Sequence, residues 1–253
     1  MMVTPKKRLG QHFLTDLNIA KKIADSLINR NNVIEVGPGT GVLTEYFIHD
    51  KTINFKAIET DNEAYEFLQE KYSEFNNKLI LDDFLKYDIS SLFDGSYSIV
   101  GNFPYNISSQ IFFKVLDNKE HVTEVVGMIQ KEVAERIASK EGNKTYGILS
   151  VLLQAYYKIE YLFTVNENVF NPPPKVKSAV IRLTRNNVKE LNCDEKFFKQ
   201  IIKISFNQRR KMLRGSLKQF TNNINVAEYD IFTKRPEQLS VSQFIELTNL
   251  LSK

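Results

Sequence analysis

The chain has 253 residues, 42% of them hydrophobic and 25% charged, enough to bury the core of one large domain or two modest ones. Its single cysteine, Cys193, excludes an intramolecular disulfide, and with only His12, His49 and His121 as further soft ligands there is no zinc spacing, so no metal is expected. No apolar run reaches the length of a signal peptide or a membrane span, which makes a cytoplasmic protein without membrane association the expectation.

The net charge is only +4, but it is unevenly spread. Residues 199–218 hold seven basic side chains and no acid, and residues 1–14 add Lys6, Lys7 and Arg8, so the rest of the chain carries −6. Basic patches on an otherwise acidic body point to a polyanion met at a particular face. Asp16 is placed to cap a first helix, whose apolar positions Ile19, Ile23, Leu27 and Ile28 recur at helical spacing.

The stretch 33–41, Val-Ile-Glu-Val-Gly-Pro-Gly-Thr-Gly, reads as a buried strand, a tight glycine turn and the start of a helix carrying Val42, Leu43, Tyr46 and Phe47. A second strand, 55–59, ends in Glu59, where an acid is placed to accept from ribose hydroxyls, and a helix follows over 62–72. A third strand at 79–84 ends in Asp82 and Asp83. A fourth, beginning at Ser98, breaks into Asn102-Phe103-Pro104-Tyr105, and a fifth, 124–130, leads into a helix with Val133 and Ile137 on one face. Strands alternating with helices predict a doubly wound, Rossmann-like α/β sheet with its ligand at the carboxyl ends of the strands. Strands over 154–165 and 178–184, joined through a stiff loop containing Pro172, Pro173 and Pro174, predict an antiparallel hairpin at one edge. After a polar linker at 185–193 the pattern turns helical, through Phe197, Ile201, Ile204, Leu213, Leu217 and Phe220, to a last helix capped by Ser240 with Gln243. Two domains are therefore expected: an α/β catalytic domain over 1–185 and a small all-α domain over 186–253.

Three ligands suit a glycine turn after a first strand. A phosphate loop requires Gly-Lys-Ser/Thr, but Val42 and Leu43 follow Gly41. A dinucleotide fingerprint requires a third glycine at 42, which weakens that reading without removing it. S-adenosylmethionine, with a sulfonium, an amino acid and no phosphate, suits Glu35 just before the turn. At the end of the fourth strand, the Asn102 side-chain oxygen and a backbone carbonyl at Pro104 can both accept from one exocyclic amino group, while Tyr105 offers a stacking face. That combination describes a holder for a planar aminated base.

Together with Gln11-His12-Phe13-Leu14, Phe170-x-Pro-Pro-Pro-Lys-Val-x-Ser-Ala-Val180 and Phe206-x-x-Arg209-Arg210-Lys211-x-Leu213, these motifs resemble the ribosomal RNA adenine N6-dimethyltransferases, in order, from about residue 5 onward. The likeness is greatest to the bacterial small-subunit branch. It implies a class I methyltransferase fold and S-adenosylmethionine-dependent dimethylation of two adjacent adenines near the 3′ end of small-subunit (16S) ribosomal RNA. A monomer acting on an immature 30S particle during small-subunit biogenesis is implied with it. By the same resemblance Gln11, His12 and Leu14 close over the methionine end of the cofactor, and Glu35, Gly37, Gly39 and Gly41 hold its amino-acid end. Glu59 takes the ribose, Asp83 and Phe84 take the adenine, and Asn102 borders cofactor and substrate alike. Asn102, Pro104 and Tyr105 receive the target adenine, with Phe170 closing a sandwich. Lys175, Lys177, Arg209, Arg210, Lys211 and Arg214 are the expected phosphate contacts, the last four on a helix. Phe103 stands where the family usually has Leu, and Asp82 where Gly is common. A large-subunit enzyme conferring macrolide resistance, a ribosome-assembly factor with dispensable catalysis and a nicotinamide-dependent oxidoreductase are the competing readings.

Overall fold

The computed structural model describes residues 3–72, 75 and 77–252. Its elements run in the order β1 (Phe13–Leu14), α1 (Leu17–Asp25), β2 (Asn32–Val36), α2 (Glu45–Ile48), β3 (Asn54–Glu59), α3 (Asn62–Lys71), β4 (Leu79–Leu81), β5 (Tyr97–Asn102) and α4 (Ser108–Asp117). Then follow β6 (Val122–Gln130), α5 (Lys131–Ala138), α6 (Ile148–Gln154), β7 (Tyr157–Val165), β8 (Phe170–Asn171), β9 (Ser178–Arg185), α7 (Glu195–Asn207), α8 (Leu213–Ser216) and α9 (Val241–Leu251).

Seven strands form one sheet in the order β4-β3-β2-β5-β6-β9-β7. β2 pairs in parallel with β3 and β5, β3 with β4, and β5 with β6, whereas β9 runs antiparallel to β6. This is the expected Rossmann-like sheet with an antiparallel element at one edge. From β2 the chain winds outward through β3 and β4, then returns to place β5 on the other side of β2. Strand order thus reverses between β2 and β5, and in such sheets the ligand crevice lies there, beyond the carboxyl ends. The strands are apolar because both faces are covered: Val33, Ile34, Phe55, Ala57, Ile99, Val100, Val125 and Val126 are all buried. Asp16 caps α1 by accepting from the backbone N–H groups of Asn18 and Ile19. Asp61 caps α3 in the same way through Glu63.

A tight fit fixes the end of β5. The ring of Phe103 is buried against Phe112, edge to face at 5.9 Å, and its backbone N–H donates to the Met128 carbonyl. It fits because Gly101 and Gly127 face it without side chains; a Cβ on Gly127 would lie 2.4 Å from the Phe103 ring. The larger residue at the usual leucine position is matched by a glycine on the neighbouring strand.

The chain divides into two units, one comprising residues up to Ala134 with Lys158–Arg185, the other Glu135–Tyr157 with the residues from Asn186 onward. A single boundary after residue 185 therefore misses a segment: 135–157 belongs with the helices. Its α6, Ile-Leu-Ser-Val-Leu-Leu-Gln, is apolar nearly all round, with Leu149, Val151, Leu152 and Leu153 buried. So short an apolar run has no readable period, and its end at Gln154 was expected to open a strand that in fact begins at Tyr157. In this unit Phe198, Ile201, Ile202, Leu213, Leu217, Phe232, Phe244 and Leu247 are buried as well. The residues 208–212 form a turn rather than a helix, so Arg209, Arg210 and Lys211 lie on that turn and only Arg214 lies in the short α8.

Gly127→Ala should destabilise the protein by about 1–3 kcal/mol through overpacking against Phe103, read as a lower urea midpoint. Adding Phe103→Leu should restore part of the loss; a Gly127→Ala protein as stable as wild type would refute the fit.

Candidate active site

At the switch point between β2 and β5 lies a cleft with about 660 Å³ of space not filled by atoms, part of it open to solvent. Its walls come from the ends of four parallel strands and from the amino-terminal segment: Gln11, His12, Gly37, Gly39, Glu59, Asp83, Phe84, Asn102, Pro104 and Tyr105 all line it. Ten of the sequence-predicted residues are thus brought to one place. A smaller pocket adjoins it, lined by Leu14, Glu35, Thr40 and Val42 and sharing Phe13, Gly37, Gly39 and Asn102.

The glycine turn is shaped by its own hydrogen bonds. Gly37, Gly39 and Gly41 all have positive φ. Their N–H groups donate to the Ile58 carbonyl, to Glu59 Oε2 and to the Pro38 carbonyl, at 2.9, 3.0 and 2.9 Å. None of the three is left to cradle a phosphate. Nor does the cleft lining include a lysine or an arginine, while it holds Glu59, Asp82 and Asp83. That donor set suits a ligand that is cationic and phosphate-free, and it argues against a dinucleotide pyrophosphate. Gly39 also makes room for Phe13, whose ring would sit 2.9 Å from a Cβ there.

Glu59 is buried, and besides Gly39 it accepts from the Asp61 N–H at 2.8 Å through Oε1. The Thr60 N–H also points to this carboxylate, and the acceptor sites left to it face the cleft. Burial raises its pKa against those backbone hydrogen bonds. Asp82 accepts from the Asp83 N–H, and Asp83 Oδ1 from the Leu85 N–H, which shapes the loop that follows β4. Lys114 on α4 steadies the same loop by donating to the carbonyls of Leu85 and Tyr87.

At the end of β5, the Asn102 amide nitrogen donates to the His12 backbone carbonyl at 2.8 Å. Because a carbonyl can only accept, this contact fixes which end of the amide is nitrogen and leaves Oδ1, the acceptor, at the other end. Tyr105 is held by a 2.5 Å hydrogen bond between its hydroxyl and Ser178 Oγ at the start of β9. Its ring lies 5.3 Å from that of His12, tilted by 31°.

The amino-terminal segment is tied down rather than trailing. Lys6 pairs with Asp61 and with Glu63, while Gln11 donates from Nε2 to Asp61 Oδ2 and accepts the Lys6 N–H at Oε1. Burial opposes the charge on Asp61, but hydrogen bonds from Lys6 and Gln11 outweigh it and hold its pKa down. Farther on, β1 pairs antiparallel with β8, Phe13 opposite Asn171 and Leu14 opposite Phe170, and Thr15 bonds the Val169 carbonyl.

Several expected placements need correction. Gln11 borders the cleft, but both ends of its amide are taken by Lys6 and Asp61. Leu14 and Phe170 are 5% and 4% exposed and pack in the hydrophobic core, neither lining the main cleft; the β1–β8 ladder turns them inward. Glu35 is 1% exposed and lies behind the turn, accepting from the Thr44 hydroxyl at 2.7 Å. Gly41 supports the turn from beneath, packed against Leu68 and Tyr72. Lys175, Lys177, Arg210, Lys211 and Arg214 are exposed, whereas Arg209 is turned toward its own unit, its Nε 3.6 Å from Glu237. Sequence reasoning missed Lys6, Asp61, Ser178 and Lys114. Asp61 was legible only as a helix cap, and Ser178 only as a motif letter without a role. Among the described residues, no cluster of histidine, cysteine or acidic side chains could hold a metal, and no helix is long and apolar enough to cross a membrane.

This sheet order, with an acid-lined cleft and a spent glycine turn at the switch point, defines a class I, S-adenosylmethionine-type methyltransferase. Comparison with known proteins carries the assignment further. A family profile described as ribosomal RNA adenine dimethylase matches residues 2–253, and the chain belongs to that family. It is 58% identical over 252 residues to a ribosomal RNA small subunit methyltransferase A of Bacteroides thetaiotaomicron, spanning 98% of this chain and 94% of that one. A protein of the same description from Cytophaga hutchinsonii is 54% identical, covering 99% and 98%. Among solved structures, a dimethyladenosine transferase from Plasmodium falciparum superposes with a TM-score of 0.80 at 23% identity, covering 95% of this chain and 98% of that one. The 23S rRNA methyltransferase ErmE superposes at 0.70, also at 23% identity, covering 94% and 99%. The fold is thus shared by a dimethyladenosine transferase and a 23S rRNA methyltransferase, and the chain is an S-adenosylmethionine-dependent ribosomal RNA adenine dimethyltransferase.

Burial pushes the Glu35 carboxyl up from 4.5 to about 8; the Thr44 hydroxyl pulls it back in part and the nearby Glu59 adds to the rise. Between those values the folded protein holds a proton that the unfolded chain releases, so stability falls as pH climbs through that range. Thermal unfolding of wild type should show this decline, and Glu35→Gln should flatten it and match or exceed wild type at the alkaline end. A decline that survives unchanged in Glu35→Gln would rule Glu35 out as its source.

Proposed function

We propose that the chain dimethylates N6 of two adjacent adenines near the 3′ end of small-subunit ribosomal RNA, acting in the cytoplasm as a monomer on an immature small subunit. The observation that carries this reading is the anchored Asn102 amide, whose nitrogen is committed to the His12 carbonyl so that its oxygen is the group offered to an incoming amine. Both highly similar relatives are described as small-subunit enzymes, which favours that RNA over the large-subunit alternative. The fold does not separate the two, since ErmE shares it.

S-adenosylmethionine supplies a methyl group already activated by a positive sulfur. The work left to the protein is alignment. In this reading Glu59 accepts the ribose hydroxyls, Asp83 takes the adenine amino group with Phe84 against the ring, and Gly37 and Gly39 floor the cleft. Glu35 reaches the amino-acid end only through the smaller pocket under the turn. His12 and Phe13 roof the cleft, with Gln11 pinning them from behind.

For the substrate, Asn102 Oδ1 and the backbone at Pro104 accept the N6 protons, drawing the nitrogen lone pair out of conjugation toward the methyl. No strong base is required, because the proton can leave after the transfer. A second round needs only one remaining N–H, so one acceptor suffices to hold the monomethylated base. Extruding the base from RNA is offset by stacking on Tyr105, worth about 1–3 kcal/mol. Phosphate contacts from Lys175 and Lys177 in the one unit, and from Arg210, Lys211 and Arg214 in the other, supply affinity without choosing sequence.

Asn102→Ala should abolish methyl transfer to immature small subunits while keeping S-adenosylhomocysteine binding; normal methylation by this variant would remove Asn102 from the mechanism. Arg210→Ala with Lys211→Ala should lower RNA affinity and shrink the slope of log K against log salt by roughly 2. Arg209→Ala should act on stability instead, because its partner is Glu237. Labelled methyl appearing only on naked large-subunit RNA would overturn the choice of substrate.

A further inference from the structure

His12 does more than its place in the amino-terminal segment requires. Its backbone carbonyl orients Asn102, while its ring is used separately. Nδ1 lies 2.7 Å from the Pro172 carbonyl, so that nitrogen carries the proton and donates it. The ring then stands at 5.3 Å from Tyr105, within the about 4.5–7 Å at which two aromatic rings touch directly. Nothing as thick as a base fits between them. Phe170, the residue expected to complete a base sandwich, is instead buried in the core opposite Leu14. The His12 ring is thus in direct contact with the Tyr105 ring, and both border the cleft.

We infer that the His12 imidazole is a placeholder for the target adenine: in the base-free enzyme it occupies the stacking position on Tyr105, and it swings aside when the base enters. The inference rests on the reading of Tyr105 as the stacking platform. A rotation about the His12 side chain breaks the bond to Pro172 and uncovers the Tyr105 face. It leaves the His12 backbone carbonyl, and with it the Asn102 amide, where they are. The acceptor for N6 is so kept aligned while the slot opens. His12 is a positioning residue in this scheme; it does not touch the transferred methyl.

The test uses the full chain saturated with S-adenosylhomocysteine, so that the cofactor's own adenine position is filled, and free adenosine as the probe. His12→Ala should bind adenosine roughly five- to tenfold tighter than wild type, because a hydrogen bond and a ring contact no longer have to be broken first. Only three histidines are present, so imidazole NMR signals are assignable, and adenosine should move those of His12 while leaving His49 and His121 in place. Equal or weaker binding by His12→Ala overturns the inference and makes His12 a wall of the slot. Binding that leaves the His12 signals unmoved overturns it too, as does no binding by either protein up to the solubility of adenosine. Tyr105→Ala distinguishes the failures: if it binds adenosine as well as wild type, the stacking platform itself is wrong. A thermal shift with S-adenosylhomocysteine shows that each variant is folded.

Discussion

One carboxylate sets the geometry on which the site depends. Glu59, at the end of β3, takes the N–H of Gly39 on one oxygen and that of Asp61 on the other. The first bond draws the glycine turn off β2 toward the neighbouring strand and decides what the turn can bind, since a turn whose amides are committed cannot hold a phosphate. The second fixes the start of α3, where Asp61 becomes the anchor for Lys6 and Gln11. The floor and the roof of the cleft are referred to the same three-residue stretch of chain, Glu59 to Asp61.

The substrate side is built on a different logic. Around the target-base position each of three side chains is oriented by one partner: Asn102 by a carbonyl, Tyr105 by Ser178, His12 by Pro172. Phe103 locks the backbone beneath them, its size accommodated by Gly127. A nucleophile as weak as an adenine amine is served by such fixed acceptors better than by a base, because what it lacks is a directed lone pair.

Much of this was legible in the chain. Alternation of apolar runs with amphipathic helices is a long-range signal, and it gave the sheet; Glu59, Asn102 and Tyr105 sit at strand ends, where chemistry concentrates in this architecture. The failures have a common cause. α6 is apolar on every side and so short that period cannot distinguish it from a strand. Phe170 read as a cleft residue, but a two-strand ladder between chain positions more than 150 apart turns it into the core, and no local pattern announces such a pairing. Arg209 carries the same charge as Arg210, and only the position of Glu237 separates them.

The amino-terminal segment also bears on how the enzyme comes into being. Its anchors lie far ahead in sequence: Glu63 for Thr4, Asp61 for Lys6, Val169 for Thr15 and Pro172 for His12. During synthesis the roof of the cleft is made first and waits for its last supports until the loop before β9 has left the ribosome. A nascent chain that already holds the glycine turn and Glu59 still lacks an oriented Asn102, since His12 is not yet fixed. The amino-terminal segment, made first, is thus the last part of the cleft to gain all its supports.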